Sequence, residues 1–142
     1  MLAPVCPRLR AWNRRFLRRM QPKGAIGLFK DFCIGAAGYP LIELGWRGRT
    51  HPAMALAGGL SLCALRRIGR MMKGRPLWQP TLLGGLTITG IEYAAGRFFN
   101  RRYQIWDYRR VPLNVQGQIC IPYTAVWCLI SAAALRCMRY SC

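Results

Sequence analysis

Four carboxyls stand against 22 lysines and arginines in this 142-residue chain, and two of the four, Glu43 and Glu92, fall inside long apolar stretches. An ionised acid at the centre of a bilayer costs about 2.5–3.5 kcal/mol on insertion scales, so such residues face the protein interior and find partners. Glu43 has Arg47 one helical turn on, with the acid N-terminal to the base, the favoured order for such a pair. Gly35 and Tyr39 continue the same stripe. Glu92 shares a stripe with Gly85, Thr89 and Gly96, small and polar residues against which a second helix packs closely. A third acid, Asp107, lies between Trp106 and Tyr108, with Arg109 and Arg110 beside it for local pairing. The chemistry on offer is the binding of a polar or charged solute. Acid/base catalysis by the acids and the single histidine, His51, is the rival. No nucleophile and no metal-ligand set accompanies them, so neither catalytic residues nor enzyme activity is expected.

The elements that must position these groups are apolar segments of near-bilayer length. Four are drawn: Ile26 to Trp46, Pro52 to Ile68, Leu77 to Phe99 and Gln118 to Met138. Each approaches the roughly 20 residues a helix needs to cross hydrocarbon. The second is short, and Arg66 and Arg67 snorkel out at its end. It crosses with local bilayer thinning, or it is re-entrant. The expected fold class is all-α: a polytopic four-helix transmembrane bundle over residues 26–142, preceded by a basic arm over residues 1–25. Trp12, Phe16, Leu17 and Met20 form one face of that arm, suited to lying on anionic lipid. Gly35, Gly38, Gly58, Gly59, Gly84 and Gly85 read as packing faces, since helices in lipid associate by close backbone approach.

Composition agrees. The chain is 53% hydrophobic yet carries a formal charge of +18, and its basic residues cluster between the apolar runs. A nucleic-acid binder shares the charge but has no need of those runs, so no nucleic-acid partner is expected. Basic residues also set orientation. Eight through Lys30, five from Arg66 to Arg75 and two in the tail fall on one side, against two at Arg47 and Arg49 and five from Arg97 to Arg110 on the other. The positive-inside rule then places both termini in the cytoplasm. The first and third helices run outward, and Glu43 and Glu92 converge in the outer half with Arg47, Arg49, His51, Asp107 and Asn114. Seven cysteines, none in a C-x-x-C pair, read as small hydrophobes. No metal site and no cofactor is expected. No G-x-x-x-x-G-K-[ST] phosphate loop occurs.

The loop RRYQIWDYRRVPLNVQGQI, Arg101 to Ile119, places Trp106, Tyr103 and Tyr108 at headgroup level, with Pro112 and Gly117 bracketing a turn and Asn114 free to cap the fourth helix or bridge to an acid. At these residues the chain resembles the small bacterial membrane proteins of the type IV, CmpB-like ABC-transporter permease group. The resemblance rests on Ile91 to Trp127, with Glu92, Tyr93, Trp106, Asp107, Tyr108, Pro112, Asn114, Gly117, Ile119 and Trp127. A second block, GYPLIELGWRGRTHPAMALAGG, adds Tyr39, Glu43, Arg47, Gly48, His51, Met54, Gly58 and Gly59. It implies an inner-membrane, multi-pass, transport-associated subunit. With no phosphate loop, any ATPase is expected to be a separate protein, and four helices make only a small pathway unless copies of the chain assemble. The candidate polar or substrate site comprises Glu43, Arg47, His51, Glu92, Tyr93, Trp106, Asp107, Tyr108 and Asn114. The alternative function is a non-transporting assembly module that binds lipid or a partner, with the basic arm and glycine faces as its contacts.

Overall fold

The computed structural model describes residues 24–140. Four helices carry the described chain: α1 (Ala25–Arg47), α2 (Pro52–Met71), α3 (Trp78–Phe99) and α4 (Ile121–Tyr140). A short antiparallel ladder precedes α4, with β1 (Asn114–Val115) pairing to β2 (Ile119–Cys120). The described residues are all-helical apart from this ladder, as expected. The basic arm falls outside the described residues. Two compact units divide the chain, Met1–Lys30 and Asp31–Cys142. The candidate site residues all belong to the second.

Local chemistry sets the helix ends. Gly48 takes a left-handed φ of +67° and returns its N–H to the Leu44 carbonyl at 3.0 Å, which stops α1. His51 is extended, and its Nδ1 accepts the Ala53 N–H at 3.1 Å. Pro52 then fills the first helical position, where a missing N–H costs nothing. The α2 helix starts where expected but continues past Ile68 to Met71, reaching 20 residues. At 1.5 Å per residue that is about 30 Å, longer than the expected second segment. The fourth helix begins later than expected. Gln118 does not join it, because Ile119 and Cys120 are drawn into the ladder.

Two of the four helices are long and apolar enough to cross a membrane: α1, and α4 over Ile121–Met138. Only 11% and 17% of the residues in their most apolar windows are buried. A soluble protein's core helix would hide that surface. Here Leu41, Trp46, Leu86 and Leu129 are exposed, while Asp31, Glu43, Thr89, Glu92, Asn100 and Gln118 are buried. This inverts the usual order of soluble proteins, and a hydrocarbon surrounding suits it. The α2 and α3 helices match in length, at 20 and 22 residues, but α2 carries Arg66, Arg67 and Arg70 and α3 carries Glu92 and Arg97.

Glycines let the helices meet. A Cβ on Gly58 would strike the Gly35 carbonyl and Tyr39 Cβ, so α1 and α2 touch backbone to backbone. A Cβ on Gly85 would strike Cys128 of α4. Gly38 faces open space and takes no part in this packing, contrary to expectation. Arg66 does not snorkel away. It pairs with the buried Asp31 at 2.8 Å and ties α2 to α1. The buried Asp31 carboxylate is held by the partly exposed Arg66, which offsets the cost of taking its charge out of water.

Candidate functional site

Glu92 occupies the second half of α3 and is 3% exposed. Three donors converge on its carboxyl from three other elements. Trp127 of α4 donates Nε1–H to Oε2 at 2.8 Å. The hydroxyls of Tyr39, on α1, and Tyr108, in the loop after α3, both donate to Oε1 at 3.3 Å. Tyr39 also stacks on Trp127, with ring centroids 5.1 Å apart, and Tyr108 stacks on Tyr123 of α4 at 4.6 Å. All three donor residues around the carboxyl are buried, and Tyr123 is partly so. The stripe below Glu92 stays polar: the Thr89 hydroxyl lies 3.0 Å from the Gly85 carbonyl and 3.2 Å from the Thr124 hydroxyl.

Among the described residues the ion pairs are Asp31–Arg66, Glu43–Arg47 and Asp107–Arg109, and none includes Glu92. Its partners are neutral. An indole N–H only donates, whereas a phenol donates or accepts. The arrangement therefore satisfies an ionised Glu92 with three donors, and it equally satisfies a protonated one that gives its hydrogen to a phenol oxygen. Burial, and secondly the adjacent Glu92 carboxyl, push the Tyr108 phenol above its ordinary range, so that phenol keeps its proton. The chemistry open to this site is the gain and loss of one proton away from water.

Glu43 and Arg47 build a second cluster one turn beyond Tyr39. They form the expected ion pair on α1, with Glu43 buried. The Thr50 hydroxyl donates to Glu43 Oε2 at 2.7 Å, and Arg47 Nη1 donates to the Ile105 carbonyl at 3.3 Å. The pair thus joins α1 to the long loop. His51 stands next to it as the N-cap of α2. A shallow cleft of about 80 Å³ opens between the two loops, lined by Arg47, Arg49, Thr50, His51, Gln104 and Ile105.

The remaining candidates separate. Trp106 is buried, and its Nε1 donates to the Gln118 carbonyl at 2.8 Å. It holds the loop together and does not touch either acid on α1 or α3. Asp107 turns away from Glu92 and pairs with Arg109 at 2.7 Å on the surface, with Arg109 also lying 4.2 Å above the Tyr103 ring. Arg109 holds the Asp107 carboxyl below the usual range, at about 2. Asn114 neither caps α4 nor reaches an acid. Its Nδ2 donates to Val111 O at 2.8 Å and Arg109 O at 3.3 Å, and its Oδ1 accepts the Gly117 N–H at 3.0 Å, which closes the turn between the two strands of the ladder. Among the described residues, Tyr93 hydrogen-bonds to the exposed Gln116, at 3.0 Å.

Sequence reasoning left Tyr39 and Trp127 out of the site, although both stand in the blocks that carry the family resemblance. It also missed Asn100. That side chain is 1% exposed, donates to Trp106 O at 2.6 Å and to Gln118 Oε1 at 3.3 Å, and accepts the Ile105 N–H at 2.9 Å. Gln118 answers by donating to the Asn100 carbonyl at 3.1 Å. Nothing in the residue pattern marks either amide.

An apolar exterior, polar buried contacts and two helices long and apolar enough to span a bilayer point to a helical membrane protein. Residues 53–142 match the family described as "Putative ABC-transporter type IV", and the chain belongs to that family. The match includes Glu92, Tyr108 and Trp127, while Tyr39, Glu43, Arg47 and His51 precede it. No curated protein and no solved structure matches the chain.

Proposed function

We propose that the protein is a multi-pass subunit of the bacterial inner membrane, associated with transport, in which Glu92 is the proton-exchanging group of an outward-facing polar site. Its four helices each cross the bilayer and both termini lie in the cytoplasm. The nucleotide-hydrolysing partner is a separate chain, and copies of this subunit assemble with one another. The protein itself catalyses no covalent step. One observation carries the reading: a fully buried carboxyl surrounded by an indole and two phenols, with no cation in ion-pair contact among the described residues. A group meant only to lock helices would be served better by an amide or by apolar packing, since hydrogen bonds between helices in lipid contribute little. Four elements meet at this one side chain, so a change in its protonation is felt by α1, α3, α4 and the long loop together.

The test is infrared difference spectroscopy of the protein reconstituted in vesicles and stepped in pH. A protonated-carboxyl band that appears and disappears with pH is expected in the wild type and is expected to be missing in Glu92→Gln, with helicity and membrane insertion unchanged. A pH-dependent band of full size in that variant assigns the exchange elsewhere and rejects the reading.

A further inference from the structure

The cleft between the α1–α2 turn and the long loop has a use of its own. Of its lining residues, Arg47 is already committed: it pairs with Glu43 and donates to the Ile105 carbonyl. Thr50 is committed as well, through its hydroxyl on Glu43 Oε2. The other three polar side chains are not. Among the described residues, Arg49 and Gln104 make no hydrogen bond or ion pair, and both are exposed. His51 uses Nδ1 as the acceptor of the Ala53 N–H, so in the neutral ring the hydrogen is on Nε2, which has no partner among the described residues. A guanidinium, an imidazole N–H and a carboxamide therefore border one cleft with no protein acceptor on their donors among the described residues. The nearest acids in sequence are already neutralised, Glu43 by Arg47 and Asp107 by Arg109. The one uncompensated charge in the lining is the positive charge of Arg49.

We infer that this cleft binds a compact oxyanion, a phosphate group, through Arg49, His51 Nε2 and the Gln104 amide, with the paired Arg47 as its fixed wall. The chemistry favours an oxyanion: donors outnumber acceptors, and a guanidinium presents parallel N–H groups matched to two oxygens of one anion. The size also agrees. A water-sized sphere needs about 10–15 Å³ measured in this way, and the cleft measures about 80 Å³, room for a phosphate and a bridging water. The phosphate comes either free from the outer aqueous phase or from a lipid headgroup, since the exposed Trp46 beside the cleft marks the membrane interface. The inference rests on the preceding reading only in taking this end of α1 to face outward.

Purified full-length protein in a neutral detergent is titrated calorimetrically with inorganic phosphate and, separately, with a short-chain phosphatidylglycerol. Saturable binding of one equivalent is expected in at least one titration, and the one that binds identifies the source. Arg49→Gln and Gln104→Ala lie on exposed side chains outside the packed interior, and Arg49→Gln is expected to weaken binding by about tenfold or more, the worth of one charged hydrogen bond. Absence of binding in both titrations, or equal affinity in Arg49→Gln, overturns the inference. Glu92→Gln is expected to bind phosphate like the wild type. If it does, while the infrared test fails, the cleft stands and the proton-exchange reading falls. If binding fails while Glu92 exchanges its proton, the reverse holds.

Discussion

Replacing Trp127 with phenylalanine isolates the strongest contact of the buried carboxyl. The substitution deletes one donor, the Nε1–H held 2.8 Å from Glu92 Oε2, and leaves a ring to stack on Tyr39. A hydrogen bond to a charged group is worth about 1.5–3 kcal/mol in proteins generally. Between helices in a membrane the measured average is about 0.6 kcal/mol, with a maximum near 1.7. Trp127 and Glu92 are both buried and the bond is short, so the upper part of the membrane range applies and we expect a loss of about 1–1.7 kcal/mol. The phenols of Tyr39 and Tyr108 share Oε1 at 3.3 Å each, so Tyr39→Phe and Tyr108→Phe are expected to cost less, below about 1 kcal/mol apiece. Reversible unfolding in mixed micelles, followed by circular dichroism against detergent mole fraction, measures these differences. The decisive comparison is a double-mutant cycle with Glu92→Met, which removes the acceptor but keeps an unbranched side chain. In that background Trp127→Phe should lose only its packing contribution, giving a coupling of about 1 kcal/mol. Equal cost in both backgrounds would falsify the claim that the indole acts through the carboxyl.

Further outcomes follow from the packing and the loop. Gly58→Ala places a methyl against the Gly35 carbonyl and Tyr39 Cβ and should destabilise by about 1–3 kcal/mol in the same unfolding assay, whereas Gly38→Ala, facing open space, should change stability by less than about 0.5 kcal/mol. Asn100→Ala strands the Ile105 N–H, the Trp106 carbonyl and the Gln118 amide, each at about 1–3 kcal/mol if it stays dry, so the loop should become the first segment cut in limited proteolysis while the helices persist. The Asp107 carboxyl is held low, at about 2, by Arg109, so the stability it lends the loop is fully present above the ordinary carboxyl range and is lost as pH falls through about 2. Carbon-13 NMR of labelled Asp107 should place its titration near that value, and Arg109→Gln should move it back up to the ordinary range.

Much of the architecture was legible in the residues, because it depends on interactions within a few positions. The bounds of α1 and the start of α2 follow from apolar length, and Gly48 and His51–Pro52 stand at those ends, whereas the end of α2 and the start of α4 did not follow from it. The Glu43–Arg47 pair follows from helix geometry, since residues four apart share a face. That two acids in apolar segments must find partners follows from the cost of burying charge. Which partners they find does not. Glu92 is held by Tyr39, Tyr108 and Trp127, which stand 53, 16 and 35 residues away, and any buried donor at the right height on a neighbouring helix would satisfy the same rule. Asp31 and Arg66, 35 residues apart, read as separate edge charges until α1 and α2 are brought together at Gly35 and Gly58. Asp107 was equally plausible as a member of the acidic group, and only the course of the loop turned it to the surface while sending its neighbour Tyr108 inward. Sequence by itself thus pointed to a membrane protein with acids needing company. The tertiary structure decided which acid remains without a counter-charge, because helix packing chooses which donors surround Glu92.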